Sequence, residues 1–241
     1  MPIRKIGITS LILWLLSQTV NAYGVTVSDY LPLYDGNTWT YRSTGTDGVY
    51  EETDTVLPGN TIINGVETKA VKTTGGPDSG MIVYITNDEA GIRAHAGYIP
   101  SEGWIYYEPP SVLANRTMNV GETVNSSGVV RLVLFGYGTY YLNYESRNTI
   151  EAVETVTVPA GSYETIRSYS TERIYGYLLG EWFELNQIST DWDARYIGGI
   201  KGIYHDSDGS TNESLLISTN VQPPPAKPTP PFLPFLPLLF D

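Results

Sequence analysis

Two aspartates stand two residues apart at Asp191 and Asp193. On a strand such a pair shares one face, and paired carboxylates are what a glycan hydrolase needs. One would act as acid with its pKa raised by an apolar setting, the other as base or nucleophile. Trp182 and Trp192 flank the pair in sequence and could supply a stacking surface. A second candidate is the run Asp206-Ser-Asp-Gly-Ser-Thr-Asn-Glu213, dense in the oxygen side chains that calcium takes. Asp206, Asp208 and Asn212 fall on ligand positions of a calcium loop. The full loop fails, because Thr211 stands where its glycine is needed and Ile217 where its closing glutamate would be. A plain Asp-Gly hairpin turn explains the same residues. A third candidate is the aromatic load. Trp104, Tyr106, Tyr140, Trp182 and Trp192 could line a cleft on a curved sheet for an apolar ligand, a glycan or a peptide. The same side chains serve equally as core or as cross-strand pairs.

Other chemistries lack their parts. The chain has no cysteine, which removes thiol catalysis and thiolate metal sites. No Gly-x-Ser-x-Gly elbow occurs, and the two histidines, His95 and His205, have no local partner pattern. Both read as surface or turn residues. No catalytic residue is assigned, and calcium is the single cofactor to weigh.

These residues must be positioned by strands. Beyond the first residues no amphipathic helix is found, and the 24 glycines and 19 tyrosines suit strands and turns. Strands are expected at Met81–Thr86, Arg131–Phe135, Thr139–Tyr144 and Glu154–Val158. Turns are expected at Asn64-Gly65, Gly75-Gly-Pro77, Pro159-Ala-Gly161 and Asp208-Gly209. In Tyr30-Leu-Pro-Leu-Tyr-Asp-Gly-Asn-Thr-Trp-Thr-Tyr41, a turn at Asp35–Asn37 leads into a strand with Trp39 and Tyr41 on one face. The expected fold is all-β, a curved antiparallel sheet or half-barrel. Gly36-Asn-Thr-Trp39 and Gly121-Glu-Thr-Val124, among other stretches, recur in the same order, so the sheet can be read as two duplicated halves, 23–110 and 111–220, joined near Pro109-Pro110.

The ends differ from this body. Arg4 and Lys5, the apolar run Ile6–Leu16 and Val20-Asn-Ala22 form a signal peptide over residues 1–22, with cleavage before Tyr23. The apolar run is too short to span a bilayer, and no transmembrane segment is expected in the mature chain. Residues 221–241 form a proline-rich tail, read as disordered or as a docking peptide. The net charge is −12 at pH 7. Such acidity excludes nucleic acid and anionic membrane as partners, since both require a basic surface. An acidic exported chain without disulfides fits a bacterial periplasmic or extracellular protein.

The ordered motifs carry a resemblance. Tyr30-Leu-Pro-Leu followed by Gly36-Asn-Thr-Trp-Thr-Tyr41, then Tyr107-Glu-Pro-Pro110, Asn119-Val-Gly-Glu-Thr123, Val156–Tyr163 and Ile197–Gly202, resemble a group of uncharacterised exported bacterial proteins. That group is similar in pattern to domains of unknown function with a curved antiparallel sheet, as in periplasmic lipoprotein carriers. The resemblance implies a fold and an address rather than an activity. The chain departs from the pattern at Val124, where a second tryptophan is usual, and in its tail. The expected role is a non-catalytic envelope protein that binds a small ligand or an envelope component on the concave sheet face. The alternatives are a glycan hydrolase using Asp191 and Asp193, and a structural or assembly protein of the cell surface acting through its tail.

Overall fold

A computed structural model describes residues 25–46 and 48–223; the signal-like segment and the proline-rich stretch from residue 224 onward lie outside the described residues. Fifteen strands follow in chain order: β1 Val25–Thr26, β2 Thr38–Gly45, β3 Gly48–Val56, β4 Thr61–Ile63, β5 Val66–Gly75, β6 Ile82–Asp88, β7 Gly91–Ile99, β8 Gly103–Ala114, β9 Thr117–Met118, β10 Thr123–Leu134, β11 Gly138–Val158, β12 Gly161–Leu178, β13 Glu181–Ala194, β14 Gly198–Asp206 and β15 Thr211–Thr219. Among the described residues a single 3-10 turn, Val27–Tyr30, sits between β1 and β2. The fold is all-β and antiparallel.

Turn chemistry sets these boundaries. Asn64 and Gly65 both hold positive φ, as the tight β4–β5 hairpin demands. Between Tyr144 and Glu154 no glycine or proline interrupts the chain. The two strands expected there are therefore one continuous β11, and Arg131–Leu134 is the end of the longer β10. Pro109 and Pro110 lie within β8, where its pairing to β7 skips between Tyr106 and Ser111.

The sheet order runs β3-β2-β15-β14-β13-β12-β11-β10-β8-β7-β6-β5, and β5 pairs again with β3. Glu52 to Val56 lie opposite Gly75 to Val71 in that last pairing. The expected curvature thus carries to closure: twelve strands form a barrel, and β4 hangs from the edge of β5. Closure removes the unpaired edges an open sheet would expose.

One core runs inside the whole barrel. Trp39, Tyr41, Val83, Ile105, Tyr107, Leu142, Tyr144, Ile174, Leu185, Ile200 and Leu216 belong to it, from eight different strands. Trp39 and Tyr41 share the inner face of β2, as expected. Trp39 donates its indole N–H to the Ile197 carbonyl at 2.5 Å, and Tyr41 donates to the Gly199 carbonyl at 3.1 Å. The outer wall carries Arg42, Glu51, Lys72, Arg147, Arg167 and Lys201 in the opposite phase. A membrane barrel needs the reverse, an outward apolar band about 25 Å tall. No helix among the described residues is long and apolar enough to cross a membrane.

The two barrel ends differ. At one end lie the hairpin tips of β2–β3, β5–β6, β7–β8, β10–β11, β12–β13 and β14–β15. The other end is plugged by the segment before β2. Val27 and Leu31 are buried in the core, Asn87 donates to the Ser28 and Leu31 carbonyls, and Tyr196 N–H donates to the Asp29 carbonyl at 2.6 Å. The long β11–β12 hairpin folds over the same end, where Ala160 N–H reaches the Leu216 carbonyl at 3.1 Å.

Candidate functional site

The alternation of each strand decides where its aromatics go. On β8, Ile105 and Tyr107 face the core, so Trp104 and Tyr106 face outward. They stack there at 5.8 Å between ring centres, and Trp104 stacks on Tyr84 at 5.6 Å. Tyr98 links this group to Phe135 on the β10–β11 tip. Arg131 lies over the Tyr106 ring at 4.0 Å and pairs with Glu108 at 2.8 Å. A second group stands on β12 and β13. Trp182 meets Tyr177 edge-on at 5.6 Å and Tyr175 at 6.2 Å. Tyr177 is 69% exposed and Trp182 56%. Tyr137 and Tyr141, both exposed, stand between the two groups on the β10–β11 tip and β11.

These side chains all sit on the outer surface at the hairpin-tip end. A groove of about 590 Å³ adjoins the second group, lined by Glu145, Arg147, Thr171, Arg173, Asn186 and Ile188 among others. Its polar groups are held in place. Arg173 pairs with Glu184 at 3.0 Å and lies over Tyr175 at 4.2 Å, and Tyr175 donates to Glu145 at 2.9 Å. The hydrogen bonds from Arg173 and Asn186 hold the Glu184 carboxyl below the usual carboxylate range, so it stays ionised.

The structure therefore does not bring the five expected aromatics together on a concave face. Trp104, Tyr106 and Trp182 share the hairpin-tip end in two separate ring groups. Tyr140 points inward against the core, its hydroxyl donating to the Tyr137 carbonyl at 3.0 Å. Trp192 is outward near the other end, donating to Glu154 at 2.5 Å beneath Lys201. The physical reason is closure: the concave face became the packed core, leaving the convex face for exposed rings. Phe135 and Tyr177 were not among the expected aromatics. Their signal was present, because each lies within a few residues of a turn glycine, Gly136, Gly138 or Gly180.

Asp191 and Asp193 do share one face, and it is the inner one. They are 2% and 1% exposed. Ser189 donates to Asp191 at 2.6 Å and Tyr204 at 3.0 Å, while burial pushes the Asp191 carboxyl well above its ordinary value. A sugar chain cannot reach a pair enclosed in the core, which corrects the hydrolase reading. Other inner carboxyls behave alike. Glu52, held by Ser43 at 2.9 Å, and Asp54, held by Thr73 at 2.6 Å, are both pushed up to about 7 by burial. Glu172 accepts from Tyr107 at 3.2 Å and is also raised to about 7 by burial.

His205 is exposed, as expected, but His95 is not a surface residue. It is buried in the irregular part of β7 with Thr86 Oγ1 3.1 Å from Nε2, and burial lowers its pKa. The expected calcium ligands separate. Ser210 donates to Asp208 at 2.7 Å and to Asp206 at 3.2 Å within the β14–β15 turn, while Asn212 donates to Tyr50 at 2.9 Å. Among the described residues no three His, Cys, Asp or Glu side chains converge to hold a metal. A further groove, about 700 Å³, lies at the plugged end beside Asp29, Leu31, Asn87, Tyr196 and Val221.

No family model matches the chain, and no curated protein matches it. Two solved structures are similar in outline. One is a candidate lipoprotein from Parabacteroides distasonis, 10% identical, with a TM-score of 0.45 over 79% of this chain and 97% of that one. The other is a candidate exported protein with a YmcC-like fold from Bacteroides fragilis, 14% identical, with a TM-score of 0.45 over 79% of this chain and 98% of that one.

Proposed function

We propose that this chain is an exported, non-catalytic protein of the cell envelope that binds a glycan on the outer aromatic surface at its hairpin-tip end. One observation carries the reading: Tyr177 and Trp182 stand exposed on the outer face, and between them and a polar groove Arg173, Glu184 and Asn186 are fixed by one another. Sugars present apolar C–H faces to rings and hydroxyls to such groups. Tyr and Trp give this contact area at low entropy cost. A lipid surface fits less well, because the chain is acidic and the groove is polar. Export is supported by the basic, then apolar, then Val20-Asn-Ala22 start of the sequence.

The test is titration calorimetry against a panel of envelope and extracellular polysaccharide fragments. Saturable binding that falls at least tenfold in Tyr177→Ala and Trp182→Ala, at unchanged thermal stability, is the expected result. Binding untouched by both substitutions, or binding to no glycan in the panel, rejects the reading.

A further inference from the structure

The inner face of β12 reads Ile166, Ser168, Ser170, Glu172, Ile174, with an acid in phase with isoleucines. Glu172 lies directly opposite Gln187 on β13, and Gln187 directly opposite Asp206 on β14. The three side chains thus form one row across neighbouring strands, at the separation of adjacent cross-strand pairs, about 4.5–5.5 Å between Cβ atoms. Two of them are left unsatisfied. Gln187 is 1% exposed, and neither its amide oxygen nor its amide nitrogen has a hydrogen-bond partner. Glu172 is 4% exposed; Tyr107 holds one carboxyl oxygen and the other, Oε2, has no partner. Buried polar atoms are nearly always satisfied, and each exception calls for an explanation, a bound water or ion among them.

The chemistry of the row names the occupant's class. It offers carboxylate, amide and carboxylate oxygens. The inward residues of β12, β13 and β14 include no lysine or arginine to neutralise them. Ser146 and Ser170 beside the row are small, which leaves room in a wide barrel. We infer that Glu172, Gln187 and Asp206 bind one hard, oxygen-liganded cation of the calcium class inside the barrel. Calcium takes about 6–8 oxygens, so water completes the shell. A water in that shell accepts from the Gln187 amide nitrogen. This site differs from the turn pattern in the sequence. It keeps Asp206 but uses two residues from the neighbouring strands β13 and β12 in place of Asp208 and Asn212. It does not rest on the glycan surface.

Calorimetric titration of CaCl2 into the chelator-stripped full chain tests it, at pH 8 where Glu172, raised to about 7, is ionised. One calcium per chain and a raised Tm are expected. Glu172→Gln and Gln187→Leu should each weaken binding at least tenfold, and Asp208→Asn should leave it unchanged. Gln187→Glu keeps the shape and adds a charge, so it should bind calcium more tightly. No calcium binding, binding of Mg2+ or Na+ in its place, loss in Asp208→Asn, or no tightening in Gln187→Glu each overturns the assignment. In the first case the row is filled by buried water alone.

Discussion

The β6–β8 wall and the β12–β13 wall use the same alternation with opposite contents. On β6 to β8 the inner residues are Val83, Ile85 and Ile105, and the outer ones include Tyr84, Tyr98 and Trp104. Both faces are apolar, and the outer one forms its own small cluster with Ile63, Ala70 and Ala96. On β12 and β13 the inner residues include Ser168, Ser170, Glu172, Gln187, Ser189 and Asp191 beside Ile174 and Leu185, and the outer ones include charged residues and exposed aromatics. The first wall is held by area removed from water and by stacking. The second is held by its ladder and by hydrogen bonds inside the barrel, at the cost of desolvating carboxyls. Stability concentrates in one wall, and the groups suited to ligands concentrate in the other.

Acidity should act most strongly on the polar interior, through Glu172 on the β12–β13 wall and through Glu52 and Asp54 on β3, which belongs to neither wall. Glu172 and Asp54, raised to about 7 from 4.5 and 3.8, and Glu52, raised to about 7 from 4.5, keep their protons in the fold where the unfolded chain has lost them. The folded state then binds more protons than the unfolded one, so stability falls as pH rises. The stabilisation is present below the unfolded values near 4 and is lost progressively up to about pH 7. A tenfold change in proton affinity is worth about 1.4 kcal/mol, so the three together should remove several kcal/mol. Urea unfolding from pH 4 to pH 8 in chelator should show the decline. A midpoint that rises across that range would contradict the burial of these groups as acids.

Next in size is Ile105→Ala on the apolar wall, expected to cost about 3 kcal/mol through lost transfer energy and a cavity. Ser170→Ala on the polar wall should cost about 1 kcal/mol, the net worth of its bond to Asn148. Equal costs by chemical denaturation would erase the contrast between the walls. The two outer tryptophans sharpen it further. Trp104→Ala breaks two stacks and should cost about 2 kcal/mol. Trp182→Ala should stay within about 0.5 kcal/mol while removing glycan binding. The smallest effect belongs to Asp208→Ala, which loses the turn bonds to Ser210 and should lower stability by about 0.5 kcal/mol or less. A large loss there would mean the turn does more than reverse the chain.

Much of the architecture was legible because strands and turns are local. Asn64-Gly65 and Asp208-Gly209 marked hairpins without any tertiary contact, and the pairing of Trp39 with Tyr41 on one face follows from a period of two. The site was legible only in part. Trp104, Tyr106 and Trp182 were recognised as aromatics with a surface to offer, but the face they occupy was assigned to the wrong side of the sheet. Alternation sorts residues into two faces and does not say which is inside. Glu172 and Gln187 went unnoticed for the same reason. An acid in phase with Ile166 and Ile174 is conspicuous only once that phase is known to point inward.

By itself, the sequence determined that this chain is built of antiparallel strands broken at glycine turns, with an acidic surface and no thiol chemistry. Only the tertiary structure decided that β3 meets β5. That non-local pairing closed the barrel, turned the concave face into core, enclosed Asp191 and Asp193, and left Tyr177 and Trp182 outside. Such a pairing joins strands through hydrogen bonds that any sequence of residues can make. Its choice was fixed by how twelve sets of inward side chains fill one interior together, which no single stretch of the chain encodes.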